Sequence, residues 1–279
     1  MGDIEKLKTR AFIFLSAFVF CLLPCVSAAR VINVPSEASS VQGAVEAAAP
    51  GDTVIVSDGT YVENVLIGKS LVIRSKNGNS SAIIIAKDMG KAVVKIDGVQ
   101  EGEFSGFTLK GSSLVGLHVH GASGVKVSDI LATGNYTGIF VEESSGGVFS
   151  GNTASGNTDG IVIQNSNDNV FEKNHADSNA EKGFLLVSAS ANRLENNTAD
   201  SNYWNGITLW SSSSNVLRNN TAYKNTYGIV MSESENNELE GNKVMRRLYF
   251  LLPVALIYIG VIIYFIERRL LLMYYAVKK

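Results

Sequence analysis

Six short segments, GLHVHGAS, GIFVEESS, GIVIQNSN, GFLLVSAS, GITLWSSS and GIVMSESE, begin at Gly116, Gly138, Gly160, Gly183, Gly206 and Gly228, so one pattern returns at steps of 22, 22, 23, 23 and 22 residues. A second series keeps the same beat. GVFSGN, NVFEKN, NRLENN, NVLRNN and NELEGN carry Asn152, Asn174, Asn197, Asn220 and Asn242, at steps of 22, 23, 23 and 22. Low complexity in Asn and Ser would not hold two independent markers in register. The rhythm reaches back more loosely through AVVKIDG at 92 and SLVIRSK at 70. Each unit holds short apolar–polar alternations separated by Asn, Ser and Gly, with no helical run, and alternation is the mark of a half-buried strand. Two or three strands with tight bends per unit predict one coil of a parallel β-solenoid, an all-β fold.

Coils stack at the spacing of neighbouring strands, about 4.8 Å. Each repeated Asn then lies over its equivalent in the next coil, where amides can hydrogen-bond along a ladder. Asn also tolerates the left-handed backbone of a sharp bend. NNTA recurs at 196 and 219 because a bend recurs. Replacing Asn197 by Leu is expected to cost about 1–3 kcal/mol through lost buried partners, and Asn165→Ser, at an exposed bend, to cost little. At the start of the repeats, Ser39 or Ser40 can cap a short helix over 40–49 that Pro50-Gly51 stops, with Val41, Ala44, Val45 and Ala48 on one face. Such a helix would cover the first coil, since an open solenoid end exposes strand edges and apolar surface.

Both ends of the chain differ from its middle. Lys6, Lys8 and Arg10 precede the apolar run AFIFLSAFVFCLLPCV, and SAA follows at 27–29, the order of a secretory signal peptide (1–29) cut after Ala28 or Ala29. Both cysteines, Cys21 and Cys25, lie in that run, so the mature chain would have no disulfide and would rely on packing. Residues 248–266 are 19 positions without Asp, Glu, Lys or Arg, long enough to span a bilayer. Arg268, Arg269, Lys278 and Lys279 follow, which predicts a single-pass protein of the cell membrane, its repeats outside (extracellular or periplasmic) and a basic cytoplasmic tail within 246–279. The ectodomain, 30–245, carries 15 Lys and Arg against 23 Asp and Glu, a poor surface for nucleic acid.

On the glycine strand, Leu117, Ile139, Ile161, Phe184, Ile207 and Ile229 form one inward column, and Val119, Val141, Ile163, Leu186, Leu209 and Met231 another. The residues between point outward. His118, Phe140, Val162, Leu185, Thr208 and Val230 form an outward column that is apolar for a solvated face. His120, Glu142, Gln164, Val187, Trp210 and Ser232 form the next. An exposed apolar stripe marks an interaction surface, for a ligand or for a covering protein partner. Trp210 is outward, and Tyr203 and Trp204 precede its strand. These rings, with Phe140, beside Gln164 and Asn205, are candidates to stack on a sugar while the amides bond its hydroxyls. Glu142, Asp159 and Lys182 are the candidate catalytic groups, as paired carboxylates with a base could serve hydrolysis, elimination or epimerisation. His118 and His120 share a face about 7 Å apart, and with Glu142 one coil on they are the candidate metal ligands. No cofactor is firmly implied. Sequons stand at Asn79, Asn135, Asn196 and Asn219.

The stretch VQGAVEAAAPGDTVIVSDGTYVENVLIGKSLVIRSKNG at 41–78 and units such as GIVIQNSNDNVFEKN resemble the right-handed parallel β-helix superfamily, and within it the NosD-like group of carbohydrate-binding and sugar-hydrolase repeats, over roughly 31–243. The resemblance implies the fold. For function it implies a range, because the fold carries lyases, esterases, epimerases, adhesins and accessory proteins. The NosD-like group adds an association with copper-enzyme maturation. Against specific enzymes of the superfamily, the chain lacks the clustered Asp set of a calcium-dependent pectate lyase and the Gln-Asp and Asp with Arg arrangement of a pectin esterase. Arg193 and Arg218 fall on the Asn-ladder strand, away from the glycine strand. The expected function is a membrane-anchored cell-surface β-helix that binds carbohydrate or cell-envelope polymer along an outward strand face. The alternatives are a polysaccharide lyase, hydrolase or epimerase, and a copper-delivery accessory protein.

Overall fold

The structure, a computed structural model, describes residues 28–246 together with 263 and 264. The expected signal peptide, apart from its last two residues, and the expected membrane span, apart from Ile263 and Tyr264, lie outside the described residues. Among the described residues no helix is long and apolar enough to cross a membrane.

The chain winds through three faces in a fixed order, and every strand pairing is parallel. One coil runs Val148–Ser150 on face 1, Thr153–Ser155 on face 2 and Asp159–Gln164 on face 3, and the next coil resumes face 1 at Val170–Glu172. Face 1 is a ten-stranded sheet from Val31–Val34 to Glu238–Glu240, and face 3 an eight-stranded sheet from Val65–Ile67 to Tyr227–Ser232. Face 2 has a five-stranded and a two-stranded part, linked by isolated bridges through His175 and Thr198. The solenoid predicted from the repeat is thus observed, with the glycine strand on face 3 and the Asn-ladder strand on face 1. SLVIRSK at 70 supplies the strand Val72–Ser75 of face 1, and the coil's face-3 strand is Val65–Ile67. Alternation is the same on every face, so it cannot by itself say which face a strand belongs to.

The core is a set of columns parallel to the long axis. Leu117, Ile139, Ile161, Phe184 and Ile207 pair in register on face 3 and are buried, as are Phe149, Phe171, Leu194 and Leu217 on face 1. The rings of Phe149 and Phe171 stack at 4.7 Å. Face 2 contributes Ala132, Ala154, Ala176, Ala199 and Ala222, all fully buried. These small residues explain the glycine series. A Cβ at Gly160 would lie 2.6 Å from the Gly183 carbonyl oxygen, 2.7 Å from the Asn179 amide nitrogen and 3.0 Å from the Ala176 Cβ. Glycine on face 3 and alanine on face 2 lie against each other, with no room for a further Cβ.

Every corner carries a ladder. Asn152, Asn174, Asn197, Asn220 and Asn242 stack between faces 1 and 2; Asn152 accepts from the Ile130 N–H, and each later rung accepts at Oδ1 from the backbone and side-chain nitrogens of its predecessor, Asn174 donating to Asn197 at 2.9 and 3.0 Å. A second Asn ladder, through 135, 157, 179, 202 and 225, holds the corner between faces 2 and 3. The corner from face 3 back to face 1 is longer. It has a serine ladder through Ser144 and Ser166, resuming at Ser212, and an Asn ladder through 169, 192, 215 and 237. The residue before each rung is left-handed: Lys173, Asn196 and Asn219 on the first corner, Ser178 and Ser201 on the second, Asn165 and Asp168 on the third. NNTA therefore reads as a left-handed residue, a rung, a bridge residue and a small core residue.

The N-terminal cap is present as the helix Val41–Ala47, with Ser40 accepting from the Gly43 N–H and Val41, Ala44 and Val45 buried. Glu63 accepts from the Val41 and Gln42 N–H groups, and Lys69 donates to the carbonyls of Val45, Glu46 and Ala48. An acid at the start and a base at the end of the helix both suit its dipole. The opposite end of the solenoid is open among the described residues. Met231 pairs with Leu209 and takes the inward position predicted for it, yet it is 46% exposed, and Leu239, Val244 and Met245 are exposed with it.

Candidate functional site

The outer side of face 3 carries the predicted columns in register. Lys95, His118, Phe140, Val162, Leu185, Thr208 and Val230 form one, and Asp97, His120, Glu142, Gln164, Val187, Trp210 and Ser232 the other. The apolar column is less open than expected. Val162 is only 8% exposed, and Phe140 and Leu185 are half-buried. Coils about 4.8 Å apart place the larger side chains of Phe140 and Leu185 on either side of Val162, so the stripe partly covers itself.

Ionisable side chains gather at one end of this face. His118 Nε2 lies 3.0 Å from Glu142 Oε2, and its ring stacks on Phe140 at 4.9 Å. His120 Nδ1 bonds Asp97 at 2.7 Å, with Glu143 at 3.6 Å from its Nε2 and Lys95 at 3.1 Å from Asp97. Burial pushes the His118 imidazole below its ordinary range, against the pull of Glu142. The bond from His120 holds Asp97 low, helped by Lys95. Each imidazole thus spends a nitrogen on a carboxylate. Glu142 pairs in strand register with His120 but bonds diagonally to His118, so the predicted metal set His118, His120 and Glu142 does not converge. Among the described residues no three His, Cys, Asp or Glu side chains form a metal-holding group. A carboxylate-oriented, neutral imidazole can act as a general base. Beside it lies a depression of about 490 Å³ lined by Asn64, Leu66, Lys91, Lys95 and His118.

Aromatic rings gather at the other end. A depression of about 510 Å³ is lined by Tyr203, Trp204, Asn205, Thr226, Tyr227 and Val230, and its three rings are exposed. The wall is stiff. Thr226 Oγ1 donates to the Tyr203 carbonyl at 2.6 Å, and Asn205 donates to Thr208 at 3.0 Å. Lys182 sits 5.3 Å over the Trp204 ring, 2.8 Å from Glu181 and 3.7 Å from Asp159. Burial raises the Asp159 carboxyl, outweighing the opposing pull of Lys182. Burial alone would lower Lys182, but Glu181 and Asp159 outweigh it and raise it.

Of the predicted ligand-binding residues, Trp204 and Asn205 share this depression. Trp210, 56% exposed, stands farther along the same strand. Gln164 is two coils from Trp210 in its column, and Phe140 is committed to His118. Of the predicted catalytic residues, Asp159 and Lys182 are neighbours. Glu142 is not with them: it pairs with Gln164, at the far end of the strand that Asp159 begins. His175, on face 2, joins neither group. Among the sequons Asn135 is a buried rung whose amide donates to the Leu109 carbonyl, and Asn79 is bonded to Asp129. Asn196 and Asn219 are exposed. Sequence reasoning missed Tyr227, Lys95 and Asp97. Tyr227 could have been found, because it precedes Gly228 as Asn205 precedes Gly206.

A family described as right handed beta helix region matches residues 92–244. No curated protein matches the chain. Among solved structures, the chain is similar to an alginate lyase from Paenibacillus sp. str. FPU-7, at 12% identity and a TM-score of 0.54 over 77% of this chain and 99% of that one. It is similar to the pectate lyase Pel9A at 16% identity and a TM-score of 0.52, over 78% and 80%. It is also similar to the catalytic domain of a GH87 alpha-1,3-glucanase in complex with nigerose, at 13% identity and a TM-score of 0.60, over 77% of this chain but 45% of that one. At these identities the likeness is one of fold.

Proposed function

This chain belongs to the right-handed β-helix family, and from that premise we propose that it binds an extended carbohydrate polymer along the outer side of face 3. One observation carries the reading: three exposed rings, Tyr203, Trp204 and Tyr227, with the amide of Asn205, around a single depression. Flat apolar faces beside amide groups suit pyranose rings, which offer C–H faces and equatorial hydroxyls. The fold supplies the length. Parallel strands repeat the same outward positions every 4.8 Å or so, which gives a straight track for a linear chain. The structures compared above are named for alginate, pectate and an alpha-1,3-glucan. That is a property of those proteins, and here the rings are the argument. In this reading the chain is a single-pass membrane protein, its signal peptide removed, with the β-helix outside the cell.

The imidazole of His118, oriented by Glu142, favours a second reading, a polysaccharide-modifying enzyme. A screen of neutral and acidic polysaccharides against residues 30–245, with turnover followed by reducing ends and by absorbance of unsaturated products, separates the two. Binding without turnover supports the first. Turnover lost in Glu142→Gln or His118→Gln, with binding kept, supports the second. No binding to any polymer defeats both.

A further inference from the structure

The two ends of the solenoid are unlike. The first coil is sealed by the helix Val41–Ala47, pinned at both ends by Glu63 and Lys69. At the last coil Met231 is exposed, and so are Leu239, Val244 and Met245, which line a depression of about 450 Å³ together with Tyr227 and Ile229. That coil ends at Arg246, and the uncharged run 248–266 begins two residues later. We infer that this open end is seated on the membrane, with the lipid headgroup region as its cap. The inference rests on the reading of 248–266 as a membrane span and adds what that span does to the fold.

Two lengths carry it. A helix of 19 residues rises about 28 Å, and the hydrocarbon core is about 30 Å thick. The run has no residue to spare for a linker. Between the last described strand and the run there is Arg247 alone, and a residue spans at most about 3.6 Å. The last coil therefore cannot stand clear of the headgroups, whose zone is several ångströms deep on each side. Its apolar end meets the layer where amphipathic and apolar side chains are accommodated. Lys243 lies on the last strand, and Arg246 and Arg247 follow it in the sequence, a basic cluster of the kind that anionic lipid headgroups attract. Glu238 and Glu240, which lipid phosphates would repel, are bonded to Arg218. One consequence concerns the binding face. The aromatic depression, built on the last two coils, lies close to the membrane, and the histidine cluster lies roughly 25 Å farther out, five coil steps along the same column.

The test uses the full chain in phosphatidylcholine vesicles, in a Cys21→Ser, Cys25→Ser background, with a fluorophore at Val244→Cys or at Val31→Cys in the first coil. Spin-labelled phosphatidylcholine should quench the label at 244 several-fold more than the label at 31. A long Gly/Ser linker inserted between Arg246 and Arg247 should abolish the difference while the protein still floats with the vesicles. A protein that fails to float overturns the membrane span and the seat together. A protein that floats, but whose two labels are quenched alike, overturns the seat alone. So does cross-linking of the 244 positions of two copies without quenching, which would make the open end an interface between copies.

Discussion

Replacing Asn197 by Ala removes one rung from the middle of the first corner's ladder. Asn197 is 1% exposed. Its Oδ1 accepts from the Asn174 backbone N–H at 2.9 Å and the Asn174 amide at 3.0 Å, and its own amide donates to the Phe171 carbonyl at 2.9 Å. The truncation takes these partners from all three groups; the Asn174 amide keeps the Phe149 carbonyl at 2.9 Å, so the Asn174 backbone N–H and the Phe171 carbonyl bear the loss. Asn220 Oδ1 loses one donor but keeps the Asn197 backbone N–H. At about 1–3 kcal/mol for each of these two buried groups, partly relieved by relaxation, the loss comes to about 2–5 kcal/mol. That lies at or above the roughly 1–3 kcal/mol expected from sequence for Asn197→Leu, because each rung serves several buried groups and not one. The same change at Asn242, half-buried at the open end, should cost less, since water can replace the lost bonds. Asn165→Ser should cost least. Asn165 is exposed and left-handed, and Ser188 and Ser211 hold the same bend in later coils. Urea unfolding of residues 30–245, followed by circular dichroism, gives the order. Equal losses at 197 and 242, or the largest loss at 165, would refute the ladder argument.

Gly160→Ala should destabilise by at least about 1–3 kcal/mol, because its Cβ would lie 2.6 Å from a backbone oxygen that the next coil fixes; an unchanged thermal melt would contradict the packing. His118 has its imidazole lowered by burial, so the unfolded chain binds its proton first. Stability should fall as the pH drops below about 6.5, the unfolded value. Asp97, held low chiefly by His120, should add a second loss below about 4. Urea midpoints from pH 7 to 5 should slope less in His118→Gln, and an identical slope would exclude His118 as the source. In a host that modifies sequons, peptide mapping should find glycan at Asn196 or Asn219 and none at Asn135, whose amide is a buried rung; folded protein carrying glycan at Asn135 would contradict the register.

What could be read from the sequence followed from repetition. The step between glycines, the alternation around Leu117 and Val119 and the recurring Asn197 series each report a translation symmetry, and translation is what a solenoid imposes. The helix Val41–Ala47 was legible for a different reason: Ser40 is a capping residue and Pro50 a stop. Features that do not repeat were poorly legible. The diagonal His118–Glu142 bond depends on rotamers, and column reasoning paired Glu142 with His120 instead. The self-covering of Val162 depends on the size of its neighbours, which a period does not encode. The second Asn ladder, through Asn179 and Asn202, is as periodic as the first, yet the first series alone does not reach it, and with it goes the evidence that Asn135 is internal.

The most direct measurement of the central claim is the affinity of residues 30–245 for the polymer found in the polysaccharide screen, compared with that of Trp204→Ala, Tyr227→Ala and a distal control, Val31→Ala. Stacking on an aromatic face adds about 1 kcal/mol beyond area burial. Each ring variant should therefore bind at least several-fold more weakly, the double variant more weakly still, with thermal melts close to the parent because both rings are exposed. Affinities that match the parent in both ring variants, while the control behaves as expected, would contradict the assignment of face 3 as the binding surface.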